Sequence, residues 1–311
     1  MTVSFAAALT ACALGGAAVI ARALATWLPG MGMMDTPAPG FQERAVPRGG
    51  GLAIVLPLLV LAVLVIPQDA AARRHMVIPL VAAIGIAVVS LIDDIRTLAV
   101  PVRLAVHIAL AAATIAALGP VEEISAGPLG RLSLGVAAWP LTLLWIVGMT
   151  NAFNFMDGID AMAGITTVVA SGAVVVATWL VGEPHVCVLA LLFGSAALGF
   201  LTANWPPARI FMGDVGSTFC GFLIAAIPLM APTESESRLA PIVGLAASPF
   251  LLDTASTLAR RLLRGENIFR SHRSHLYQRL VLAGWPHALV SCLYGAAAAA
   301  AAGVGIVMTL A

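Results

Sequence analysis

The chain contains no lysine: all 16 of its Lys+Arg positions are arginine. Every fixed positive charge is therefore a planar fork, suited to gripping phosphate through paired hydrogen bonds. Charge of either sign is scarce, at 10% of 311 residues, against 60% hydrophobic residues and a mean hydropathy of +1.00. That balance excludes a soluble domain of this size. The net charge of +1 gives no bulk field to draw in an acidic partner, and no nucleic acid is expected. Cys12, Cys187, Cys220 and Cys292 lie inside apolar stretches and fit neither a zinc nor a Cys-x-x-Cys spacing. They read as small core or lipid-facing groups. The first apolar run lacks a basic flank, so it is expected to be an uncleaved helix and not a signal peptide.

What the chain does have is apolar segments of membrane length. A span needs about 17–25 such residues. That ruler predicts about ten helices, near 3–27, 51–67, 77–92, 101–119, 136–150, 163–181, 186–203, 217–231, 239–258 and 287–310. No polar domain separates from them and no clean repeat is visible. The expectation is an all-α polytopic membrane protein, one domain over 1–311. Arginine sets its orientation. Arg44, Arg48, Arg96, Arg103, Arg209, Arg260, Arg261, Arg264, Arg270, Arg273 and Arg279 fall on one set of loops. The opposite loops hold Arg73, Arg74, Arg131 and Arg238. The positive-inside rule makes the first set cytoplasmic. Asp35, Asp93, Asp94, Asp157, Asp160, Asp214 and Asp253 then gather at or near that face, whereas most glutamates lie on the other.

Acids at the ends of apolar segments persist mainly where they do chemistry or bind ions. Asp93 and Asp94 close the third segment. Adjacent carboxylates repel unless a cation relieves them, a metal or the nearby Arg96; an ordinary solvated helix end is the plainer alternative. Asn151, Asn154, Asp157 and Asp160 recur at every third position, which keeps neighbours on one side of a helical turn. Helix capping explains one or two of these, not all. Gly158 lets a ligand approach the backbone. In Phe211-Met-Gly-Asp214-Val-Gly-Ser217, Asp214 opens a helix, a place suited to phosphate and a bridging cation, and Phe211 can stack on a base. Arg48, before Gly49-Gly50-Gly51, can clamp a phosphate. His272-Arg273-Ser274-His275 can offset developing negative charge, or can simply face lipid head groups as Arg260, Arg261 and Arg264 are expected to do. Asp253 reads as a buried acid that either lines the site or pairs with an arginine such as Arg260.

These motifs, in this order, resemble the polyprenyl-phosphate N-acetylhexosamine-1-phosphate transferases, glycosyltransferase family 4. The resemblance runs from about residue 35 to 280. The histidine stretch looks like the branch that initiates O-antigen and common-antigen chains. The resemblance implies a cytoplasmic-face active site in a bacterial inner-membrane enzyme. There, N-acetylhexosamine-1-phosphate passes from a UDP-sugar to undecaprenyl phosphate and UMP leaves. It also implies roles: Asp93 and Asp94 near the lipid phosphate, Asn154, Asp157 and Asp160 on the nucleotide, Asn204 and Phe211 on the uridine side, and His272 and His275 in the final motif. Asp214 would hold Mg²⁺, with Mn²⁺ as the alternative ion. Membrane lipid is a further partner, and a homodimer rests on the resemblance alone. The family often has Lys or His in the first cytoplasmic loop, where this chain has Gln42, Glu43 and Arg44. Three rivals share features: a CDP-alcohol phosphotransferase, whose Asp-x-x-Asp-Gly-x-x-Ala-Arg pattern is absent; an intramembrane aspartyl protease, which would leave the Asn motif idle; and a transporter, whose charges would sit at the midplane.

Overall fold

In the computed structural model, described over residues 2–37, 40–42, 44–267 and 273–310, the chain is a bundle of α-helices with two small hairpins. In chain order the helices are α1 (Val3–Trp27), α2 (Leu52–Ala62), α3 (Ala70–Ile95), α4 (Val100–Leu118), α5 (Ala138–Met156) and α6 (Met162–Val181). They continue as α7 (Pro184–Asn204), α8 (Gly213–Ala226), α9 (Thr233–Ala246), α10 (Ser248–Leu263), α11 (Leu276–Leu282) and α12 (His287–Leu310). Strands β1 (Met34–Asp35) and β2 (Val46–Pro47) pair antiparallel, as do β3 (Glu123–Ser125) and β4 (Arg131–Ser133).

Among the described residues eight helices are long and apolar enough to cross a membrane, and nine if α9 and α10 form one span. Each predicted segment meets a helix, with two corrections: the second, Leu52–Val65, is shorter than a span, and the ninth, expected to run through 239–258, is broken at Ala247 and bent by 62°. Pro249 supplies the reason for the bend. It has no N–H to return to the carbonyl four residues back, so one rung of the ladder is lost there. Beyond the bend, α10 is amphipathic. It buries Phe250, Asp253 and Thr257 and exposes Leu252, Leu262 and Leu263.

The centre of the bundle is α8, nearly all of whose residues are buried, flanked by α3 and α5. α7 packs between α1 and α6. Apolar side chains on all sides of α7 and α8 suit helices that meet protein instead of lipid. This arrangement carries the ends of α3, α5, α7 and α10 and the start of α8 to one end of the bundle.

Candidate active site

The glycine run positions this end. The Gly50 and Gly51 amides donate to the Phe211 and Met212 carbonyls, each at 2.8 Å, and the Phe211 amide donates to Pro47 at 2.8 Å. A Cβ on Gly51 would lie 2.1 Å from the Gly216 Cα, so only glycine permits this contact between the start of α2 and the first turns of α8. The close approach is to protein backbone. Its consequence is to set Arg48 beside the end of α3, where Nη2 donates to the Asp94 carbonyl at 2.8 Å and Nη1 to Asp35 at 3.4 Å. The Arg48 Nε is buried with no hydrogen-bond partner among the described residues.

The paired acids divide their work. Asp94 accepts the Asp214 amide at 3.0 Å and the Val215 amide at 2.9 Å, one on each oxygen, and so caps α8 from another helix. Asp93 accepts the Leu98 amide at 2.5 Å and a close ion pair from Arg103. The same Arg103 nitrogen reaches Asp214 Oδ2 at 2.8 Å. Among protein cations it is not Arg96, which is exposed, but Arg103, in the first turn of α4, that pairs with Asp93. Asp93 does not line the cavity described below. Arg103 was legible only as a loop arginine; its place ten residues after Asp93, just inside the next helix, was the available signal.

The four-residue repeat does not share one helix face. α5 ends at Met156, so Asn151 and Asn154 are helical, and Asp157 and Asp160 lie beyond the end. Asn151 donates back to the Val147 carbonyl at 2.8 Å and does not line the cavity. Asn154 and Asp157 do. Gly158 is needed for a neighbour already present: a Cβ there would lie 2.1 Å from the Tyr277 hydroxyl, which donates to the Phe155 carbonyl at 2.9 Å. Asp160 accepts the Ala208 amide at 3.0 Å and pairs with His287 at 3.4 Å. Asn204 accepts the Ala161 amide at 2.9 Å and donates to the Ile210 carbonyl at 2.8 Å. With both ends engaged, it holds Ala161 in its left-handed conformation, φ 65°, and fixes the loop leading to Phe211.

The histidine stretch divides as well. His272 lies outside the described residues. His275 is buried and pairs with Asp253 at 3.4 Å, away from the cavity. Asp253 neither lines the cavity nor meets Arg260. It accepts the Leu276 and Tyr277 amides at 2.8 and 3.1 Å and the Tyr294 hydroxyl at 2.6 Å, fastening α11 and α12 to α10. Arg273 stacks over Phe41, 5.1 Å from its ring centroid. Arg261, expected among lipid head groups, is buried instead, donating to the Asn267 carbonyl at 2.7 Å and pairing with Glu266 at 3.5 Å.

What remains is a cavity of about 170 Å³ whose wall brings together Asp94, Asp157, Asp160 and Asp214 with Arg48, Asn154, Asn204 and Phe211. Asp35, Phe41, Gln42 and His287 complete it and were not foreseen as site residues. Asp157 is the acid left over: among the described residues its carboxylate has no hydrogen-bond donor. Burial, and then the charges of Asp214, Asp94, Asp35 and Asp160, push its pKa well above the usual carboxylate range. Burial also raises Asp35, against the opposing pull of Arg48. No three His, Cys, Asp or Glu side chains among the described residues converge closely enough to cage a metal. Magnesium needs no such cage. It takes one or two carboxylates and completes its shell with water and substrate phosphate. Hard oxygen donors from Asp214 and Asp157, with excess negative charge around them, fit that ion and not zinc.

The glycosyl transferase family 4 model matches residues 76–231, from α3 through α8, and so includes Asp93, Asp94, the 151–160 motif, Asn204 and Asp214. A probable undecaprenyl-phosphate N-acetylglucosaminyl 1-phosphate transferase of Bacillus subtilis is 32% identical over 262 residues, 83% of this chain and 72% of its own. A phospho-N-acetylmuramoyl-pentapeptide-transferase of Halalkalibacterium halodurans is 30% identical over 265 residues, 78% of this chain and 77% of its own. One of the same name from Chloroflexus aurantiacus is 29% identical over 306 residues, 89% of this chain and 80% of its own.

Proposed function

The chain belongs to glycosyl transferase family 4, and from that premise we propose that it transfers N-acetylhexosamine-1-phosphate from a UDP-sugar to undecaprenyl phosphate. UMP is the product that leaves, and the lipid-linked sugar begins a glycan. Membership sets aside the CDP-alcohol phosphotransferase, protease and transporter readings. The observation that carries the proposal is the single cavity shared by Asp94, Asp157, Asp214 and Arg48 at the end of the bundle rich in arginine. By the positive-inside rule that end faces the cytoplasm of an inner-membrane protein. There the prenyl chain can stay in the bilayer while its phosphate meets a water-soluble donor.

The reaction is phosphoryl transfer between two anions, so most of the work is charge neutralisation and alignment. Asp214 and Asp157 would hold Mg²⁺, or Mn²⁺, which supplies charge neutralisation on the donor pyrophosphate. Arg48 lines the cavity, and its guanidinium charge is offered to a phosphate oxygen. Arg103 keeps Asp214 in place while neutralising Asp93. Asp94 has each oxygen on a backbone amide, so it acts by orienting the first turn of α8. Asp157, the acid without a donor among the described residues, is the one whose oxygens are left for the metal ion. Phe211 and Asn154 present a ring face and an amide to the uracil. His275 acts from behind, through Asp253 and Tyr277. Attack of the lipid phosphate oxygen on the β-phosphorus is direct and in line, because the nucleotide is already a good leaving group.

The sugar is assigned to N-acetylglucosamine or a deoxy relative, and the O-antigen and common-antigen branch is our reading of residues 272–275. The muramoyl-pentapeptide names among the relatives support one second donor, UDP-N-acetylmuramoyl-pentapeptide. The deciding experiment offers purified protein a panel of UDP-sugars, that peptide donor included, with undecaprenyl phosphate, and follows UMP with and without Mg²⁺. Release from a UDP-N-acetylhexosamine that needs both lipid and metal is the expected result. No UMP from any donor would end the proposal.

A further inference from the structure

A second cavity, of about 240 Å³, lies at the opposite end of the bundle, roughly 28 Å from the first along α3 at 1.5 Å per residue. Its polar lining is Asp69, His75, Glu183 and His185; the rest is mainly apolar, including Met76 and Leu189. No step of the proposed reaction uses it.

The two histidines are fixed in orientation. His75 Nδ1 lies 2.9 Å from the Leu229 carbonyl and His185 Nδ1 lies 3.2 Å from the Val65 carbonyl. A carbonyl only accepts, so each Nδ1 donates and Nε2 is the ring nitrogen left over. The acids are also partly engaged. Asp69 Oδ2 accepts the Ala72 amide at 2.9 Å, and Glu183 Oε1 accepts the Ser235 hydroxyl at 2.7 Å. One oxygen of each remains. Among the described residues, only His275 and His287 are in histidine–carboxylate pairs, so these rings and acids do not satisfy one another. The wall therefore carries one open oxygen on each of Asp69 and Glu183, with no described histidine within ion-pair distance of either.

That spacing selects the ligand. A zinc-type ion needs three side chains converging at about 2 Å, and no such group exists among the described residues. A primary ammonium bridges wider gaps, with three N–H donors each reaching about 2.8 Å. Arg73 is tied to the carbonyl of Pro67, a residue of the cavity wall, at 3.2 Å and to the Gln68 carbonyl at 2.6 Å. It places a cation next to the acceptor-rich wall. Val63 and Leu64, just beyond, are exposed apolar surface. We propose that this cavity binds the head group of phosphatidylethanolamine, with its ammonium among His75, His185, Glu183 and Asp69, its phosphate on Arg73 and its acyl chains along the end of α2. A choline head group has no N–H to offer and is wider.

The test is native mass spectrometry of the full-length protein released from mixed micelles of phosphatidylethanolamine and phosphatidylcholine with identical chains. Wild type is expected to retain the ethanolamine lipid about tenfold over the choline lipid. Glu183→Gln keeps the acceptor for Ser235 but loses the charge, and the preference is expected to fall to about twofold or less. His185→Ala, at an exposed position, is the second variant and is expected to weaken it in the same way. Equal retention in wild type, or an undiminished preference in both variants, would overturn the proposal. Soluble ethanolamine raising the unfolding temperature as much as the lipid does would assign the cavity to a free amine and overturn the lipid reading.

Discussion

Asp253 and Asp157 are acids at the same end of the bundle, and they have opposite surroundings. Asp253 receives two backbone amides, the Tyr294 hydroxyl and His275. Asp157 receives nothing from the described protein, and its neighbours are other acids. The same side chain is a fastener in one place and a vacancy for charge in the other. What separates them is the number of donors that the fold aims at each carboxylate. The contrast extends to the rest of the cluster: Asp94 and Asp160 hold backbone, while Asp214 and Asp157 face the cavity with charge to spare.

The sharpest way to break this comparison is to neutralise one acid of each kind. Asp214→Asn is expected to lower UMP release by about 10²–10³-fold, the scale of losing one placed electrostatic group, with thermal unfolding unchanged. Asp253→Asn should do the reverse. It strands donors in a buried network, and about 3 kcal/mol of stability is expected to go, read as a lower unfolding temperature with turnover per folded molecule largely kept. An Asp253 variant that stayed stable but lost turnover would make that residue part of the chemistry.

Gly158→Ala tests the boundary between the two regions. Its methyl group would press on the Tyr277 hydroxyl, and a loss of about 1–3 kcal/mol is expected, partly recovered in the double variant with Tyr277→Phe. Absence of recovery would show that the glycine serves a ligand instead. The smallest effect separates the two asparagines. Asn154→Ala, on the cavity wall, is expected to reduce UMP release about tenfold. Asn151→Ala, bonded to its own helix, is expected to change it less than about threefold. Equal losses would return Asn151 to the site.

Much of the architecture could be read before any coordinates. Apolar length located a helix at each predicted segment, and arginine bias with acid placement pointed to one end of the bundle. The break at Ala247 was harder because Pro249 sits within a run whose hydrophobicity continues on both sides. At the site, residue type was a good guide to where polar groups gather and a poor one to what each does. Three-residue spacing suggested a shared helix face for 151–160, yet α5 stops at Met156, because a repeat of polar residues says nothing about where the ladder ends. Gly51 and Gly158 were legible as close approaches, but the approaching groups, Gly216 and Tyr277, come from distant parts of the chain. Arg103 stayed hidden since its partners lie ten residues away on one side and over a hundred on the other.

The sequence by itself determined that this chain spans a membrane many times and that most of its aspartates collect at one end, because hydrocarbon admits only apolar helices and charge is expelled to their ends. Only the tertiary structure decided which acids are spent on backbone amides and which remain to meet a substrate. That distinction depends on donors brought from other helices, and no local pattern carries their positions.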